Sequence, residues 1–192
     1  MKRLGKKGVE MIGNALKCAV LGLILLSIGG VFAVAAPAGA GGHPAAVSAP
    51  FERLKGLAGE WVAAEDGEMF KKGDVVSRYA VTASGSAVVE TVFPGSPHEM
   101  VTVYSAEGPD LVLTHYCMEG NQPRMRAKNP KGSSRLDFAF DGGNGIDPKK
   151  DRHMNSASLE FVGPDELSTV WTKIEAGKPV FVAKSRLVRK PR

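Results

Sequence analysis

His98, His115 and His153 are the side chains of this sequence best suited to acid–base or metal chemistry. A catalytic zinc centre takes three protein ligands of this type and leaves a fourth position for water, so the trio defines a metal reading with Glu99 as general base. Their separations, 17 and 38 residues, match no compact metal motif. The competing reading makes each histidine a hydrogen-bonded residue at a rim or turn. His115 also stands two residues from Cys117, which resembles a base beside its nucleophile. Side chains at i and i+2 of a strand stand parallel, however, and need a third group to aim them, so a buried thiol packed as a small hydrophobe is the simpler role for Cys117.

Other constellations are structural. Asp141-Gly142-Gly143-Asn144-Gly145-Ile146-Asp147, followed by Asp151, has the look of a calcium loop, yet it has no ligand at the third or fifth position and no closing glutamate. It reads as a glycine-rich connection between strands. The sequence contains no G-x-G-x-x-G, P-loop, G-x-S-x-G or H-E-x-x-H. Two basic clusters, Lys149, Lys150 and Arg152, and then Arg186, Arg189, Lys190 and Arg192, are not interleaved with aromatic residues, so no nucleic-acid partner is expected.

Charge points instead to an address. The net charge of +5 is concentrated in the first forty residues, which hold Lys2, Arg3, Lys6, Lys7 and Lys17 against Glu10. Removing them takes five from the 25 basic residues and one from the 20 acidic ones, leaving +1. A basic start, an apolar run from Cys18 to Ala36 and small residues at Ala38-Gly39-Ala40 predict a signal peptide over 1–40, with a Pro- and Gly-rich linker over 41–50. The expected address is periplasmic or secreted, with membrane contact only during export. Cys18 leaves with the leader, so Cys117 remains as a lone thiol without an internal disulfide partner.

The elements that must position the histidines are strands. After a helical turn over Phe51 to Gly59, runs rich in Val, Thr, Tyr and Phe alternate with turn residues every 8 to 12 positions. They predict ten strands: 60–65, 75–83, 86–93, 99–106, 111–118, 124–128, 135–140, 153–162, 166–175 and 179–188. Breaks as short as Ser84-Gly85 and Ala176-Gly177 join antiparallel neighbours. The expected fold is therefore an all-β, antiparallel up-and-down barrel of about ten strands over 51–192, with a two-sheet sandwich as the alternative. Alternation puts His115 and Cys117 on the side of Leu111 and Leu113. It also groups His153 and Asn155 with Ala157, Leu159 and Phe161. Tyr104 shares its strand's side with Met100 and Thr102, and Asn121, Gln122 and Arg124 offer donors at the barrel mouth.

The run Phe51 to Trp61 resembles the opening of lipocalin-like, or calycin, barrels, in which a helical turn leads into Gly-x-Trp. The resemblance implies that Gly59 and Trp61 close one end. The ten-strand count is that of the fatty-acid-binding-protein and nitrobindin branches. Pro97-His98-Glu99-Met100, Leu113-Thr114-His115-Tyr116-Cys117, Gly120-Asn121-Gln122-Pro123-Arg124-Met125 and Asp151-Arg152-His153-Met154 resemble runs in a set of exported bacterial lipocalin-like proteins. That likeness implies a fold and an address, and no activity. Relatives often carry histidine at the positions of Ser105 and Asn155, where this chain departs and thins the polar cluster. Likeness to nitrobindin implies haem bound through one barrel histidine, for which His153 is the candidate.

The leading expectation is an exported barrel that binds a small apolar or amphipathic molecule, with His115, His153, Tyr104 and Arg124 as ligand contacts. Three alternatives stand beside it: an enzyme using His98, His115 and His153 on zinc or in acid–base catalysis, a haem-binding barrel, and a protein-interaction module working through its rim loops. The sequence sets no oligomeric state.

Overall fold

The computed structural model describes residues 48–132 and 134–191. The expected leader, and the expected linker as far as residue 47, lie outside the described residues. The helix α1, Ala49–Lys55, begins inside the segment expected to be linker, with Pro50 in its first turn where a missing N–H costs nothing. Ten strands follow: β1 Gly59–Ala63, β2 Val75–Thr82, β3 Ala87–Val92, β4 Met100–Glu107, β5 Asp110–Tyr116, β6 Gln122–Ala127, β7 Arg135–Asn144, β8 His153–Gly163, β9 Glu166–Glu175 and β10 Lys178–Arg189.

Each strand pairs antiparallel with its sequence neighbour, and β1 pairs with β10, so the sheet is a closed up-and-down barrel. Closure leaves no unpaired edge to recruit another chain. The seam is short: Trp61↔Arg189, Val62↔Val188 and Ala63↔Leu187 are its only register pairs, whereas β9 and β10 run together from Lys178↔Glu175 to Val188↔Glu166. Side chains alternate as strand geometry requires, with Leu111, Leu113, Met125, Leu136, Phe138, Leu159 and Leu167 buried inside. Arg124, Arg126, Glu107, Asp110 and Asp141 form a linked set of ion pairs on the outside. The interior is thus mostly apolar, and this part of the outer face is charged.

One end of the barrel is plugged. Phe51 and Leu54 of α1, with Leu57, pack against Trp61, which is 1% exposed and donates its Nε1–H to the Leu57 carbonyl at 2.7 Å. The Arg189 guanidinium lies 4.5 Å from the Trp61 ring centroid, bonds the carbonyls of Gly56 and Ala58 at 2.8 and 2.9 Å, and reaches Asp165 at 2.7 Å. One cation thus satisfies the carbonyls left at the end of α1 while covering the aromatic face. Gly59 has φ +129°, a backbone conformation that side chains disfavour, which explains the glycine of Gly-x-Trp.

Two strands depart from the expected pattern. β7 runs four residues beyond Phe140, so Asp141 to Asn144 pair as strand, with Gln122↔Asn144 and Pro123↔Gly143 in register. A Cβ on Gly143 would meet the Gln122 oxygen at 3.0 Å and the Pro123 Cα at 3.2 Å, which is why a glycine run reads here as sheet rather than loop. In β8 the register slips between Met154 and Ser156, a bulge that exchanges the faces of the residues before it.

Candidate ligand-binding cavity

The polar interior is built by register. Tyr79 lies opposite Glu90, Glu90 opposite Thr102, and Thr102 opposite His115, which makes a row across β2, β3, β4 and β5. Directly opposed residues project to one face of the sheet, so four polar side chains line up on the inner wall. All four are buried: Tyr79 is 2% exposed, Glu90 3%, Thr102 0% and His115 2%.

Glu90 is held by three hydroxyl donors. Ser77 and Tyr79 bond its Oε1 at 2.7 and 2.8 Å, and Tyr104 bonds its Oε2 at 2.7 Å. Burial raises the carboxyl above its ordinary range, and the bonds from Tyr104, Ser77 and Tyr79 oppose that shift. Both tyrosines are pushed well above their usual values, first by burial and then by the neighbouring carboxylate, so they stay protonated as donors.

His115 faces the same space. Its Nδ1 and the Thr102 hydroxyl are 2.9 Å apart, its ring lies 5.0 Å from the Trp171 ring, and its Nε2 is buried without a hydrogen-bond partner. Burial lowers its pKa from 6.5 to about 4, so it is a neutral imidazole at pH 7. A buried polar atom without a partner costs free energy that a hydrogen-bonding guest recovers. The adjoining cavity has a volume of about 80 Å³ and is walled by Glu90, His115, Met100, Met154, Phe93, Trp171 and Phe181 among others. Thr169 and Ser185, bonded hydroxyl to hydroxyl at 2.6 Å, add a second polar point on its wall.

The expected site residues divide between this cavity and other surroundings. His115 lines it. Tyr104 stands behind it, acting on Glu90. His153 is fully buried but outside the lining. Its Nδ1 lies 2.8 Å from the Asp151 carbonyl oxygen and its ring 4.5 Å from that of Phe140, because the β8 bulge gives the lining position to Met154. The sequence-based alternation across β8 therefore fails at the bulge. Arg124 is on the outer face, bonded to Glu107 at 2.6 Å, since Pro123, Met125 and Ala127 take the inward positions of β6. His98 is exposed in the β3–β4 connection. Among the described residues no three His, Cys, Asp or Glu side chains gather as metal ligands. Cys117 is buried with its thiol pKa raised by burial, the opposite of an activated nucleophile. The cavity is also far smaller than a haem macrocycle.

Glu90 is the residue that sequence reading missed. Its signal was present: Val88, Glu90 and Val92 share one side of their strand, so an acid interrupts an apolar stripe. The Trp61 and Arg189 plug and the closed ten-strand sheet are compatible with a calycin-like fold. Compared with protein-family models and with curated proteins, the sequence finds no match to either.

Proposed function

We propose that this chain is exported and that its barrel binds one small amphipathic molecule in the cavity beside His115 and Glu90. The observation that carries this reading is the unpartnered Nε2 of the buried His115, set in a wall that is mainly thioether and aromatic with a few polar groups such as Glu90, Thr169 and Ser185. Such a wall, with few convergent polar groups, is the usual make-up of a small-molecule site. At about 80 Å³ the cavity is smaller than the ~300–1,000 Å³ clefts that enclose drug-sized ligands, so the guest is small or inserts one end. The proposal of export rests on the basic start, apolar run and small-residue cleavage pattern of residues 1–40.

Native mass spectrometry with elemental analysis, on protein purified from the exported fraction of its host, tests the reading directly. A retained small organic mass supports it. Ala183 lines the cavity, and Ala183→Phe is expected to fill the space and abolish that mass while the protein still unfolds cooperatively. A mass retained by Ala183→Phe places the ligand elsewhere and overturns the assignment.

A further inference from the structure

The buried acid and its surroundings specify the charge of the guest. Each carboxylate oxygen offers two lone pairs. Oε1 of Glu90 accepts from Ser77 and Tyr79 and is saturated, whereas Oε2 accepts from Tyr104 alone and keeps one acceptor position. No basic group of the described residues acts on this carboxyl, whose neighbours contribute hydroxyl bonds only. Buried carboxylates are ordinarily paired or neutralised, and among the described residues Glu90 has no internal cation, so a cationic guest is the partner that would hold it ionised. The cavity wall beside it carries the rings of Phe93 and Trp171, whose π faces attract cations, and that of Phe181, which already holds the Lys173 ammonium 5.2 Å from its centroid. Lys184 is the one basic residue of the lining, and it is exposed, alternating with the inward Ala183 and Ser185. An anionic head group would find no inward cation among the described lining residues and would face Glu90.

We propose that the ligand is a small organic cation, a protonated amine on a short apolar body, with its N–H donating to Glu90 Oε2 and its body against the aromatic rings. His115 Nε2 supplies the second polar contact in the tautomer whose Nδ1–H donates to the Thr102 hydroxyl, which leaves Nε2 an acceptor. This assignment rests on the cavity-binding reading above and narrows it to one class of ligand.

Three probes with the same tail separate the two claims: butylammonium, butanol and butyrate, each titrated into the purified protein by calorimetry and by Trp171 fluorescence. Butylammonium is expected to bind at least about tenfold more tightly than butanol, with butyrate weakest. Glu90→Gln keeps the shape and removes the charge, and should bring butylammonium down to the level of butanol. Equal binding of all three probes overturns the cation assignment and leaves the cavity reading standing. Binding of none overturns both. The comparison of probes on the unaltered protein needs no variant, so a Glu90→Gln chain that fails to fold leaves the test intact.

Discussion

At the scale of single residues, burial gives His115 and Glu90 opposite effects on stability as the pH changes. His115 has a folded pKa of about 4 against an ordinary 6.5, so the unfolded chain binds its proton first. The stability associated with its neutral ring is complete above pH 6.5 and is lost as the pH falls toward 4, by about 3 kcal/mol in total. Glu90 has a raised folded pKa, so its contribution grows as the pH falls through that value and partly offsets the loss. Urea unfolding between pH 7.5 and 4 should therefore show a fall in stability that His115→Gln flattens and Glu90→Gln steepens. An unchanged slope in the His115 variant would mean that this histidine is already solvated in the folded protein.

At the scale of elements, strand existence was legible because alternation and turn residues are local signals, and all ten expected strands are present. Side-chain direction was legible only where the strand is regular. His115 lies in an unbroken β5 and points inward as its alternation predicts, whereas His153 precedes a bulge that no local pattern announces. Arg124 was misplaced for a related reason, since a turn position says little about which face the next strand residue takes. The row from Tyr79 to His115 depends on the register of three hairpins, and register is set by turn geometry rather than by any residue in the row. One of those turns also carries a stability prediction. Ala83 and Ser84, between β2 and β3, have φ of 50° and 53°, a region that disfavours side chains. Ser84→Gly should raise stability by up to ~1 kcal/mol, read as a higher urea midpoint with an unchanged slope. A lower midpoint would show that the serine is held by contacts that outweigh its backbone cost.

For the whole molecule, closure concentrates weakness in one place. The β1–β10 seam has three register pairs, and its β1 side is the shortest strand of the barrel. Local opening starts where the least contact must be broken. Hydrogen exchange followed by mass spectrometry should show β1 amides exchanging ahead of those in β8 and β9. Uniform protection around the sheet would mean that the Trp61 and Arg189 plug binds the seam as firmly as the long hairpins bind their neighbours.

The same seam bears on how the chain is made. It joins Trp61 to Arg189, so the barrel cannot shut until β10 has left the ribosome. β1 is available long before that, while the hairpins behind it still form an open ribbon. During that interval Trp61 and the rest of β1 wait without their β10 partner, and the fold holds off its own closure until synthesis reaches Arg189.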